Sequence, residues 1–113
     1  MTAKNTLVTA PPYAVERAIG RLGANLRIAR LSRNLTIGEV GEKIGTGPRA
    51  VSDAEKGKVT TSIAVYMALL WAYDLLSHIS DVADPAQDKE GLALSLSRER
   101  ARSKDSEELD SDF

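Results

Sequence analysis

The chain has 113 residues, no cysteine and one histidine, which excludes disulfides, thiolate metal sites, thiol catalysis and a His-rich metal centre. At 42% apolar but only 4% aromatic, it can build one small domain with an aliphatic core. Its longest apolar run, Ile63 to Tyr73, is too short to span a bilayer, so a soluble cytoplasmic protein is expected. The net charge of −1 conceals +5 over residues 1–60 and −6 over residues 61–113, so a basic front suited to nucleic acid precedes an acidic back suited to a basic surface.

Residues 1–12 lack a helical period. Thr6-Leu7-Val8-Thr9 has β-propensity and Pro11-Pro12 punctuates it, which reads as a flexible arm. A short strand within a dimer and a disordered terminus are both open to it. From Tyr13, Val15, Ile19, Leu22, Leu26 and Ala29 recur at helical spacing. Gly20 and Gly23 interrupt the stripe, so two helices or one bent helix are expected. Asn34 suits a left-handed C-cap position. Thr36 and Glu39 are spaced as a capping box for a short helix stopped at Gly45. Pro48 suits the first turn of the next helix, with Gly47 as N-cap and Gly57 as its close.

Ser62 can cap another helix, along which Ile63, Met67, Leu70 and Trp71 recur. Tyr66, Trp71 and Tyr73 are assigned to packing or a dimer face. Leu75, Leu76, Ile79 and Val82 suggest a last short helix, ended by Asp84-Pro85. Leu92, Leu94 and Leu96 alternate as in a strand, although Leu92 and Leu96 also suit a helix. From Lys104 onward the Ser/Asp/Glu-rich composition predicts disorder. The organisation is thus an arm (1–12), a helical domain (13–84) and an acidic tail (85–113).

Two short helices joined by a tight glycine turn carry the functional signal. Gly41 is the small residue that lets the helices approach, and Gly45 accepts positive φ. Val40, Ile44, Val51 and Ala54 face inward. Pro48, Arg49, Ser52 and Asp53 face outward, where a recognition helix reads bases. Arg33, Lys43, Thr46, Lys56, Lys58 and Thr60 flank the motif as candidate phosphate contacts. His78 stands alone, no catalytic set forms, and neither an enzyme nor a cofactor is expected.

Leu35 to Lys58 resembles the helix-turn-helix of the phage-repressor or XRE-type family. It matches at Leu35, Thr36, Val40, Ile44, Gly45, Thr46, Val51, Ser52, Glu55 and Gly57. The resemblance implies a compact all-α, five-helix domain that forms symmetric homodimers on palindromic double-stranded DNA operators. It also implies a structural pair, Arg30 with Glu55. Ile37 stands where the family usually has Gln, and Gly41 where it has Ala. Pro48 and Asp53 are unusual on a reading surface. Residues Tyr66 to Arg102 are similar to the C-terminal half of XRE-type antitoxins encoded beside HipA-like kinase toxins. That likeness implies an autoregulating repressor that also binds a toxin. The acidic tail, with Leu109 and Phe113 as apolar anchors, would then dock on the partner. The alternative is a protein-binding adaptor or antitoxin with little specific DNA binding, motivated by Ile37, Pro48 and Asp53.

Overall fold

The computed structural model describes residues 5–111, and side chains through residue 107. Among the described residues all regular structure is helical. The order is α1 (Thr6–Thr9), α2 (Tyr13–Ser32), α3 (Ile37–Ile44), α4 (Pro48–Glu55), α5 (Ile63–Ala72), a 3₁₀ segment (Leu76–Asp81) and α6 (Lys89–Ser111). None of these helices is long and apolar enough to cross a membrane. The chain divides into two compact units, Met1–Leu76 and Ser77–Phe113.

In the first unit, α3 and α4 pack on each other and on α5, and α2 packs on α4. The core is formed by Leu26 of α2, Val40 of α3, Val51 and Ala54 of α4, and Tyr66, Leu69 and Leu70 of α5, with Tyr73 beyond it. The two stripes expected at helical spacing are only partly buried. Leu26 and Ala29 are buried on α2, whereas Val15 is exposed. On α5 the buried side is Tyr66, Leu69, Leu70 and Ala72, while Ile63 and Trp71 face outward. Nearly every α5 residue is apolar, so periodicity cannot tell one face of that helix from another.

The breaks between helices follow local chemistry. Helix α2 ends at Asn34, whose φ is 56°. The Thr36 hydroxyl accepts from the Glu39 amide at 3.1 Å, and the Glu39 carboxylate accepts from the Thr36 amide at 3.1 Å, closing the capping box on α3. Gly45, at φ 83°, ends α3. The Ser62 hydroxyl accepts from the Ala64 amide to open α5.

Helix α2 is continuous through Gly20 and Gly23, and Gly23, like Gly57 opposite it, has a packing reason. A Cβ on Gly23 would lie 2.8 Å from the Glu55 carbonyl oxygen and nearer still to that of Ala54. Across the same crossing, a Cβ on Gly57 would lie 2.8 Å from the Gly20 amide nitrogen. Backbone therefore meets backbone where α2 crosses the end of α4, and nothing larger than hydrogen fits at Gly23.

Thr6–Thr9 forms one turn of helix, not a strand. Leu7, Val8 and Pro11 line a pocket of about 100 Å³ with Val15, Ile19 and Val59, and this apolar contact outweighs β-propensity. Leu92 to Leu96 take the helical of the two forms open to them, within α6, which continues past Lys104 to Ser111. Asp88 opens α6 by accepting from the Gly91 amide at 2.9 Å, a cap hidden in a run otherwise read as loop. The last short helix is 3₁₀.

In the second unit, Leu92, Leu94 and Leu96 are exposed, and none of the α6 side chains described is buried. Leu109 lies on α6, but its side chain falls outside the described residues, as does Phe113 altogether.

Candidate nucleic-acid interface

Helix α4 lies against the core by Val51 and Ala54, both fully buried. Helical geometry then turns Pro48, Arg49, Ser52, Asp53 and Lys56 to the opposite side. Pro48, Arg49 and Lys56 are exposed, and Ser52 and Asp53 half-buried. The outward stripe read from the sequence is thus one continuous surface. The α3–α4 turn is tight because Gly41 is buried: a Cβ there would meet the Thr46 carbonyl oxygen at 3.0 Å. The Thr46 amide donates back to the Gly41 carbonyl at 2.8 Å.

Gly47 caps α4 through its backbone conformation alone, without a side-chain hydrogen bond. Pro48 has no amide hydrogen. The amides of Arg49 and Ala50 therefore open the helix with no capping side chain on them, an arrangement suited to an anion.

Arg30 holds the far end of α4. Its Nε donates to Glu55 Oε2 at 2.7 Å and its Nη2 to Oε1 at 3.1 Å. Nη1 donates to the Leu35 carbonyl at 2.9 Å. Both side chains are more than nine-tenths buried. The Glu55 hydrogen bonds raise the Arg30 pKa against the opposing effect of burial. One guanidinium thus ties α2, the end of α4 and the entry to α3 together.

The candidate phosphate residues separate into two groups. Thr46, Lys56, Lys58 and Thr60 lie in the turn before α4 or in the segment after it, Thr46 half-buried and the other three exposed. Arg33 and Lys43, both exposed, also reach carbonyls of the domain itself. Arg33 donates from Nη1 to the Ala29 carbonyl at 2.9 Å and from Nη2 to the Tyr73 carbonyl at 2.8 Å, its guanidinium 5.4 Å from the Tyr73 ring centroid. Lys43 Nζ reaches the Ala72 carbonyl at 3.4 Å and lies 5.9 Å from the centroid of the Trp71 ring. The two cations satisfy carbonyls at the C-terminal end of α5, where the helix dipole favours positive charge.

Asp53 is also engaged: its Oδ1 lies 3.1 Å from Lys58 Nζ. Sequence reasoning left Arg27 unassigned. It lines a depression of about 220 Å³ with Arg30, Ile37, Ser52, Glu55 and Lys56, beside the outward stripe. Its signal is position: it stands one turn before Leu31 on the exposed side of α2, next to the buried Leu26. No group of three or more metal-ligating side chains that could hold an ion occurs among the described residues.

No curated protein and no solved structure matches the chain. A family model described as a helix-turn-helix domain matches residues 21–78, which fits the XRE-like resemblance of Leu35 to Lys58. That span covers more than half of the chain and includes the crossing of α2 on α4, the glycine turn and the whole of α3, α4 and α5; the chain belongs to the helix-turn-helix domain family.

Proposed function

We propose that the chain is a dimeric transcriptional repressor that binds double-stranded operator DNA through α4. The observation that carries this reading is the outward stripe of α4. It is backed by a fully buried inner face, begins in uncapped amides and is flanked by Thr46, Lys56, Lys58 and Thr60. Arg49 reads guanine through its O6 and N7, Ser52 contacts a neighbouring base, and Pro48 offers an apolar surface to a thymine methyl. Arg27, Thr46, Lys56 and Thr60 contact phosphate and fix the register. In a two-fold dimer the half-sites lie about one helical turn apart.

The test is binding of the full-length protein to its own upstream duplex and to a scrambled duplex at two salt concentrations. Base readout gives a preference for the upstream duplex that survives added salt, because sequence-independent binding is chiefly counterion release. Arg49→Ala should then cost about 1–3 kcal/mol on the preferred duplex and little on the scrambled one. Weak, equal binding that vanishes with salt would overturn the reading.

A second role is supported by α6, whose exposed Leu92, Leu94 and Leu96 suit a protein partner. The same chain would then act as the antitoxin of a HipA-like kinase and repress its own promoter. Co-purification with the kinase, lost when residues 89–113 are removed, is the expected result. An unchanged complex would remove α6 from the interface.

A further inference from the structure

Of the two carboxylate side chains on α4, that of Glu55 is more than nine-tenths buried and that of Asp53 is partly open to water. Asp53 is held in a particular way. Helix α4 ends at Glu55, and Gly57, at φ 68°, turns the chain back on itself. That turn brings Lys58 beside the helix it has just left. The Lys58 amide donates to the Asp53 carbonyl at 3.2 Å. Its own carbonyl accepts from Tyr66 Oη at 2.8 Å, and Tyr66 is buried. With its backbone fixed from both sides, Lys58 extends its ammonium to the Asp53 carboxylate at 3.1 Å. Both side chains remain partly open to water, Asp53 at 25% and Lys58 at 45%, so an approaching phosphate can compete for the ammonium.

We propose that Asp53 sets the affinity for duplex DNA through Lys58, withholding this cation from phosphates. The inference rests on the DNA-binding reading and adds to it. Sequence-independent binding is supplied almost entirely by cations that neutralise phosphates, whereas operator binding also draws on base contacts. The masked cation is withheld from both kinds of complex at about the same cost, so Asp53 lowers duplex affinity and its salt dependence through Lys58, not by reading a base.

The experiment compares wild type, Asp53→Asn, Lys58→Met and the double variant on scrambled and upstream duplexes across a salt series. Asp53→Asn is expected to tighten scrambled-duplex binding by roughly threefold or more at low salt. It should also steepen the salt dependence by about one phosphate contact. The preference for the upstream duplex should change little, because the same phosphate contact is gained on both duplexes. In the Lys58→Met background the same change should leave the salt dependence unaltered. An equal gain in both backgrounds would mean general repulsion by Asp53 and overturn the proposal. Lost upstream affinity with scrambled binding unchanged would make Asp53 a base reader and overturn it too. Both outcomes leave the DNA-binding reading standing. Failure of all four proteins to bind any duplex would end both.

Discussion

At the scale of the residue, the domain depends on a few buried polar groups. Glu55→Ala would leave the Arg30 guanidinium buried and short of two hydrogen bonds, and breaking such a pair costs about 3–5 kcal/mol. Urea unfolding should show that loss, and a smaller one for Glu55→Gln, which keeps an acceptor. Tyr73 presents the opposite case. It is fully buried and its hydroxyl has no hydrogen-bond partner. Removing an unpaired hydroxyl while keeping the ring is close to neutral or stabilising, so Tyr73→Phe should hold or gain up to about 1 kcal/mol at pH 7. Burial also pushes the Tyr73 phenol above its ordinary value of about 10. The unfolded chain then loses that proton first as pH rises, so stability should fall from about pH 10 upward. Burial pushes Tyr66 the same way. Thermal melts across the alkaline range should therefore show a shallower decline in Tyr73→Phe that does not disappear.

At the scale of the element, the α2–α4 crossing sets an unequal rule for two glycines three residues apart. Alanine favours a helix over glycine by about 1 kcal/mol, and a Cβ at Gly20 meets nothing within 4 Å. Gly20→Ala should therefore stabilise by up to about that amount. At Gly23 the same change drives a Cβ into two α4 carbonyls, and a loss of about 2 kcal/mol or more is expected. Equal effects in chemical denaturation would refute the packing account.

Sequence alone showed the glycines only as weak points, because a crossing partner thirty residues away leaves no local mark. What was legible had local causes. The capping box at Thr36 and Glu39, the left-handed Asn34 and Gly45, and the outward stripe of α4 each follow from neighbours within a turn. The carbonyl partners of Arg33 and Lys43, on Tyr73 and Ala72, were not legible because they lie forty and twenty-nine residues away. The strand open to Thr6–Thr9 is a turn of helix, and Leu92–Leu96 takes the helical of its two readings, because short apolar alternation suits a strand and a helix alike.

At the scale of the whole molecule, the average charge describes neither end. The pI of about 5.8 is that of an acidic protein, yet the front of the chain is basic, with Arg17, Arg21, Arg27, Arg30 and Arg33 on or at the end of α2. Polyanions respond to the local field and not to the sum. The full chain should therefore be retained on heparin at pH 7 in low salt and elute as salt rises; passage without retention would argue against a basic face. Ile28 and Leu31 on α2, with Ile63 and Trp71 on α5, are at least half exposed, an apolar excess consistent with the proposed dimer. Sedimentation should give twice the 12.2 kDa chain mass, and a single-chain mass would count against two-fold operator binding.

The glycine crossing has a genetic consequence as well. For the repressor proposed above, a selection for lost repression should recover changes at Gly23 and Gly57 alongside those at Arg49, though neither glycine lies on the outward face of α4. The two classes would part on temperature. Glycine mutants should regain repression in cooler growth, where a weakened fold still holds, while Arg49 mutants stay silent at every temperature.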